Sequence, residues 1–219
     1  MQLQVRPVGA SALLLEVADA DDAGILWREI ETRRAAGELG TVVDVVPGAR
    51  TVLLDGVLDR ESLIRRVLGW VGTGDFGDRS SAVPVGPSVD VPVVYDGPDL
   101  AEVAAGWGVT VEEAVRLHAG ADYTVAFCGF SPGFAYLTGL PAELAGPRRP
   151  SPRPLVPAGA VGLAGSYCGV YPRPSPGGWQ LIGRTELRVW DATRADPALL
   201  VPGTRVHFVP SPSTTGGPT

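Results

Sequence analysis

The sequence predicts an α+β chain in two parts, and three observations carry that expectation. The first 80 residues alternate strand-like and helix-like patterns. Residues 72–88 carry glycine, serine, proline and aspartate with little periodicity, as a linker does. Beyond the second pair of helical stripes the chain becomes short β-prone runs divided by Gly and Pro, the signature of a β-barrel or a sandwich. The expected organisation is an α+β domain over 1–80, a β-rich domain over 89–210 and a flexible tail over 211–219.

Each element has a local reason. Residues 11–17 read as a strand, and 41–46 with 51–55 as a hairpin whose Pro47-Gly48 suits the central positions of a type II turn. Ala23, Leu26, Trp27 and Ile30 fall at helical spacing, as do Leu63, Ile64, Val67, Leu68 and Val71, with Asp59 as N-cap. Strand, helix, hairpin, helix is most of a ferredoxin-like βαββαβ unit. In the second part, 89–95 reads as a strand and Pro98 as the first residue of a helix striped by Leu100, Val103, Ala104 and Trp107, which Gly108 stops. Thr110-Val111-Glu112-Glu113 is a capping box, opening a helix whose stripe is Val111, Ala114, Val115 and His118.

Composition excludes several functions. The 219 residues are 45% apolar and 19% charged, ordinary for a globular chain, and the net charge of −6 argues against nucleic acid or an anionic membrane as partner. No apolar run reaches membrane-spanning length, and Met1 to Arg6 lack a signal-peptide apolar region, so a cytoplasmic protein is expected. Two cysteines, Cys128 and Cys168, lack metal-ligand spacing, and no metal site is expected. All 18 basic residues are arginine. Without lysine the chain has no Walker A lysine, no Schiff base and no biotinylated lysine.

The densest stretch is Gly129-Phe130-Ser131-Pro132-Gly133-Phe134-Ala135-Tyr136. Together with Val156-Pro157-Ala158-Gly159, Gly162-Leu163-Ala164-Gly165 and Gly177-Gly178-Trp179-Gln180, it reads as a preorganised glycine, proline and aromatic surface. The stretch also matches the G-x-S-x-G nucleophile elbow, with Asp191 and His207 following in hydrolase order. In that motif the residue after the serine donates its N–H to the oxyanion hole. Here it is Pro132, which has none, so a triad is not expected.

The Gly129 to Phe134 loop, Val156 to Gly159 and Gly177 to Thr185, with Val91 to Tyr95, Gly97-Pro98-Asp99-Leu100, His118, Tyr123, Pro147-Arg148 and Pro152-Arg153, resemble the family of the 5-oxoprolinase B subunit. That family includes Kip-type histidine-kinase inhibitors, was long labelled allophanate hydrolase subunit 1, and is similar to part of the carboxyltransferase region of urea carboxylase. The resemblance implies a ferredoxin-like N-terminal domain followed by a cyclophilin-like β-barrel. It implies a polypeptide acting with the C and A subunits in the ATP-dependent opening of 5-oxoproline to glutamate, with magnesium-bound ATP as cofactor of the complex. A kinase inhibitor and a component of a urea carboxylase-type carboxyltransferase are the alternatives. The chain departs from the family pattern at Tyr167-Cys168, where Gln-Thr is common, and at Ala10, often an aspartate.

The resemblance, rather than spacing, singles out the candidate residues. His118, Arg153 and Arg184 are the catalytic candidates. Tyr123, Gly129, Phe130, Pro132, Gly133, Phe134, Tyr136, Pro157, Gly159, Gly178, Gln180 and Thr185 are the substrate-binding candidates. By residue type alone Arg148, Arg149 and Arg153 suit either anion recognition or a solvated basic face. Arg184 suits an anion or a barrel-edge salt bridge, and His118 a base or a packed core histidine.

Overall fold

In a computed structural model, which describes residues 1–72 and 87–212, the chain divides into two units, Met1–Pro84 and Val85–Thr219. Of the expected linker, residues 73–86 lie outside the described residues, as do 213–219 of the expected tail.

The first unit runs β1 (Gln4–Val8), β2 (Ala12–Glu16), α1 (Ala20–Ala35), β3 (Asp44–Pro47), β4 (Thr51–Asp55) and α2 (Arg60–Gly72). Its strands form one antiparallel sheet in the order β1-β2-β4-β3. Alternation puts Leu13, Leu15, Val52 and Leu54 on one face, where they pack with Ala23, Leu26 and Ile30 of α1 and Leu63 and Val67 of α2. Asp19 and Asp59 cap the two helices, accepting from the N–H groups of Asp22 at 2.9 Å and Ser62 at 3.0 Å.

Two details differ from the sequence reading. The ferredoxin-like pattern needs a strand after α2, but the place beside β2 is taken by β1, which precedes it. β1 carries Gln4, Arg6 and Pro7 and is almost wholly exposed, so it lacks the apolar alternation that announces a strand. The hairpin also turns later than expected. Pro47 still pairs with Val52, and the Gly48 N–H donates to the Thr51 carbonyl at 2.7 Å, which leaves Ala49-Arg50 at the tip. A type II turn on Pro47-Gly48 would require a positive φ at Gly48, which it does not have.

The second unit runs β5 (Ser88–Val93), α3 (Leu100–Trp107), α4 (Val111–Ala119), β6 (Tyr123–Cys128), β7 (Ala135–Thr138), β8 (Arg153–Val156), β9 (Ala160–Ala164), β10 (Tyr167–Val170), β11 (Ser175–Gly177), β12 (Gln180–Arg184) and β13 (Arg205–Pro210). Seven strands form a sheet in the order β12-β9-β10-β7-β6-β13-β5, with only β13 and β5 parallel, while β8 and β11 pair as a separate ribbon.

The two edges of the large sheet meet. Val94, just past β5, exchanges two 2.9 Å hydrogen bonds with Arg184 of β12, and the N–H groups of Gly97 and Asp99 donate to Ile182 and Leu181. A Cβ at Gly97 would lie 2.3 Å from the Ile182 carbonyl carbon, and one at Gly183 would lie 2.6 Å from the Val94 oxygen. Glycine is required at this seam because the backbones touch. The β-rich part is thus a nearly closed barrel rather than a sandwich.

Every barrel strand sends side chains inward, among them Val93, Val125, Leu137, Leu163, Val170, Ile182 and Phe208, and α3 adds Leu100 and Val103. Full burial of each such side chain contributes about 1.5–3 kcal/mol. α3 begins at Leu100 with Asp99 in the N-cap position, so Pro98 lies outside the helix rather than in its first turn. Gly108, at φ 70°, ends it as expected. Thr110 caps α4 by accepting from the Glu113 N–H at 3.2 Å, while the Glu113 carboxylate pairs with Arg116.

Candidate functional site

The outward residues of the barrel strands build a second, aromatic cluster. Tyr136, Tyr167, Tyr171 and Trp179 lie on this side with Phe134, Ala160, Ala164 and Leu181. Gly162 and Gly169 face each other across β9 and β10, and a Cβ on either would press within 3.1 Å of the Trp179 side chain. They make the floor on which Trp179 lies. A register shift between Val125 and Phe127 turns Phe127 toward this face, where its ring stacks on Tyr136 at 4.3 Å and 16°. Edge-to-face contacts link Phe134 to Phe130, Tyr136, Tyr171 and Trp179.

The Gly129–Phe134 loop rims this cluster. Phe130 has φ 66°, the one non-glycine residue with positive φ among those described, and the Ser131 N–H donates to the Gly129 carbonyl at 2.7 Å. That is a γ-turn of the rarer, strained kind. The Gly129 and Phe134 N–H groups close the loop onto Phe134 and Ser131. Gly133, at φ 81°, sits against Trp190, where a Cβ would come within 2.5 Å of the indole's own Cβ. The result holds Phe130 out in solvent, 62% exposed. Such strain, on the order of 1 kcal/mol or more, persists where surrounding structure enforces it and clusters at functional sites.

Much of the expected glycine and aromatic surface is therefore core. Phe134, Gly133, Gly162 and Trp179 are buried; Phe130 and Pro132 are exposed, and Gly129, Tyr136 and Gly178 half-buried. Pro157 is exposed at the turn before β9, and Gly159 of the same turn meets Thr185. The Thr185 N–H donates to the Gly159 oxygen at 2.9 Å, and a Cβ on Gly159 would lie 2.2 Å from the Thr185 oxygen. Gln180 is buried and lies beside Gly146.

The catalytic candidates do not converge. His118 is 1% exposed inside the barrel, its Nδ1 2.8 Å from the Tyr95 hydroxyl and its Nε2 3.3 Å from Cys168 Sγ. Burial pulls its pKa down to about 3 and pushes the Cys168 thiol well above its ordinary range. This is a neutral, satisfied core histidine. Tyr123 packs against it with its hydroxyl buried and unpartnered, again in the lumen.

Arg153 donates to Asp99 Oδ1 at 2.7 Å and to the Trp179 carbonyl, and Arg149 reaches the same oxygen at 2.7 Å. Asp99 Oδ2 accepts the Leu181 N–H at 2.6 Å. Burial alone would raise the Asp99 carboxyl, but the Arg153 and Leu181 hydrogen bonds and the charges of Arg153 and Arg149 outweigh it and hold the pKa below the usual carboxylate value. Arg184 pairs with Asp96 at 3.0 Å and Glu186 at 3.4 Å. Both arginines are engaged by carboxylates, Arg153 by the buried Asp99 and Arg184 in a salt bridge at the barrel edge.

The triad is not assembled. Asp191 accepts from Thr193, His207 lies 3.9 Å from Asp122, and Ser131 Oγ is buried without a partner. Among the described residues, no group of three His, Cys, Asp or Glu side chains is placed to hold a metal, and no helix is long and apolar enough to cross a membrane.

Sequence reasoning passed over two residues. Asp99 looked like an ordinary residue at a helix start, whereas it ties the barrel seam to the loop arginines. Arg148, part of the Pro147-Arg148 motif but not among the candidate site residues, is exposed and has no ion pair among the described residues. The distinction depends on Asp99, distant in sequence, and so was not visible in the loop itself.

Comparison with known proteins gives the family. Residues 3–200 match the model of the carboxyltransferase domain, subdomain C and D. The 5-oxoprolinase B subunit of Escherichia coli O157:H7 is 40% identical over 210 residues, covering 93% of this chain and 94% of that protein. The chain belongs to the family of 5-oxoprolinase B subunits. The Haemophilus influenzae member is also 40% identical, over 94% of this chain and 97% of its own length. Among solved structures, TTHA0988 matches 95% of the chain at 34% identity with a TM-score of 0.73, yet the match spans only 41% of that longer chain.

Proposed function

We propose that this chain is the B subunit of an ATP-dependent 5-oxoprolinase, converting 5-oxo-L-proline, ATP and water to L-glutamate, ADP and phosphate together with the C and A subunits. The observation that carries the reading is the likeness to two bacterial B subunits across more than nine tenths of both chains. The reaction takes place in the cytoplasm, where ATP is supplied.

A five-membered lactam is a poor electrophile, and ATP turns its amide oxygen into a phosphate leaving group. That chemistry asks the protein for positioning and positive charge. This chain's residues suit those tasks and not covalent catalysis. Ser131 precedes a proline that removes the oxyanion donor, His118 is sealed and neutral, and burial holds the Cys168 thiol protonated. With no lysine, any nucleotide phosphate that meets this chain is held by arginine or backbone N–H groups. ATP belongs to the assembled complex. The outer face contributes aromatic surfaces to cover the ring, and Phe130, held rigidly in solvent, is an anchor for the C subunit. The 41% coverage of TTHA0988 supports a module that works beside further sequence.

Co-expression with candidate C and A partners, followed by ATP hydrolysis with and without 5-oxoproline, tests this. The chain alone is expected to be inactive and the complex to hydrolyse ATP only with substrate. Robust turnover by the single chain overturns the shared site. A well-assembled complex that ignores 5-oxoproline overturns the function.

A further inference from the structure

Arg148 and Arg149 lie in the proline-rich loop before β8 and Arg153 opens that strand, but the structure separates the three. Arg149 and Arg153 share Asp99 Oδ1, and the other Asp99 oxygen is occupied by the Leu181 N–H. The carboxylate is buried and already accepts from three donors. Glu102, 3.9 Å from Arg149, is itself 69% exposed. The cluster keeps a net positive charge in a chain whose formal net charge is −6.

Arg148 carries that excess from a fixed backbone. On one side Gly146 exchanges hydrogen bonds with Gly165, at 3.3 and 2.7 Å. On the other, the Arg149 N–H donates to the Gly178 carbonyl at 2.8 Å while its guanidinium holds Asp99. Pro147 and Pro150 restrict the chain further. Between these anchors the Arg148 side chain is exposed, with no ion pair among the described residues. The loop that carries it borders the outer aromatic face, because its backbone partners Gly165 and Gly178 adjoin Ala164 and Trp179 of that cluster, and its charge lowers the phenols of Tyr136 and Tyr171 against the upward pull of burial. A planar five-donor cation, on a backbone that does not need to reorganise, is suited to an oxyanion.

We propose that Arg148 binds an oxyanion of the substrates at the outer face, either the carboxylate of 5-oxoproline or a phosphate of the nucleotide. The proposal rests on the 5-oxoprolinase reading for the identity of those substrates. It replaces Arg153 and Arg184 with Arg148 as the recognition residue.

The test compares reconstituted complexes carrying wild-type chain, Arg148→Gln and Arg148→Lys. Arg148→Gln is expected to raise one KM by at least about tenfold, the scale of a lost charged hydrogen bond, with a smaller effect on kcat and partial recovery in Arg148→Lys. A raised KM for 5-oxoproline, with lost preference over 2-pyrrolidinone, which lacks the carboxylate, assigns the anion as carboxylate. A raised KM for ATP assigns it as phosphate. Unchanged KM values for both overturn the proposal, as does a fall in kcat alone. The thermal midpoint of Arg148→Gln should equal wild type, since no partner is lost. A second measurement is independent of turnover: titration of the full chain with 5-oxoproline and with inorganic phosphate, read on guanidinium NMR resonances. A response in wild type that vanishes in Arg148→Gln supports the site, and identical behaviour of the two chains overturns it. A wild-type complex without substrate-dependent hydrolysis would instead count against the function, leaving this titration to decide Arg148.

Discussion

The lumen and the outer face of the barrel are made by alternate residues of the same strands, and they treat reactive side chains in opposite ways. Inside, His118 and Cys168 are buried and neutral, and the imidazole is held between the Cys168 thiol and the Tyr95 hydroxyl. Outside, Phe130 is held in a strained turn toward solvent and Arg148 keeps its charge uncompensated by any ion pair among the described residues. Residue type alone marks the histidine and cysteine as chemistry and the phenylalanine as core. Accessibility and unspent bonding capacity reverse that ranking. Strand alternation makes the two faces, and the elements that border them, α4 on the lumen side and the loops of Phe130 and Arg148 outside, decide which reactive groups each receives.

The largest test of this division is at the seam between the two faces. Asp99→Ala leaves two guanidiniums and the Leu181 N–H without their shared acceptor. A stability loss of about 3 kcal/mol is expected, the range for removing one partner of a buried ion pair. Urea unfolding measures it. A loss below about 1 kcal/mol would mean that Arg149 and Arg153 are not committed to Asp99, and both would return as open cations.

Next comes a pair of glycines from the same aromatic face. Gly133→Ala puts a Cβ at positive φ and into Trp190, and is expected to cost about 2 kcal/mol or more. At Gly178 φ is not positive, and a Cβ would find its nearest neighbours at 3.8 Å, so Gly178→Ala should stay within about 0.5 kcal/mol. Equal losses at the two positions would show that the loop's shape does not depend on the Trp190 contact.

The same positions show how far the sequence could be read. Helix stripes, the caps at Asp59 and Thr110 and the stop at Gly108 follow from local rules, because each depends on residues within a turn of one another. The barrel's glycines and aromatics were legible as a cluster, and so was the obstruction of the elbow by Pro132. What was not legible depends on pairings far apart in the chain. β1 joins the sheet by backbone pairing that its polar side chains do not advertise. Asp99 binds residues about fifty and eighty positions away, a fact that decides which loop arginine stays free.

A pH series sharpens the account of the lumen. The folded pKa of His118, about 3, lies below the ordinary value of about 6.5. The unfolded chain therefore takes up the proton first. Stability linked to this group is fully present above about pH 6.5 and is lost as pH falls from there toward 3, by at most roughly 1.4 kcal/mol per pH unit. Asp99, held below the usual carboxylate range, remains charged through most of that window. Denaturant unfolding between pH 7 and 4.5 should show a shallower slope in His118→Leu than in wild type, whatever the variant's stability at neutral pH. Parallel slopes would mean that the imidazole accepts a proton in the folded state and is not sealed.

The smallest expected effect is at Ser131, and its smallness is informative. Its hydroxyl is buried without a partner, so Ser131→Ala removes an unsatisfied polar group and should change stability by no more than about 0.5 kcal/mol, in either direction. The loop would keep its shape, because the bonds that close it run between the backbones of Gly129, Ser131 and Phe134. Turnover of the reconstituted complex should stay near wild type, since His207 lies beside Asp122, Asp191 is bound to Thr193, and Pro132 offers no oxyanion donor. A triad serine would lose several orders of magnitude instead. Such a loss, with stability and assembly intact, would place a nucleophile on the outer face and replace positioning by covalent catalysis as this chain's contribution.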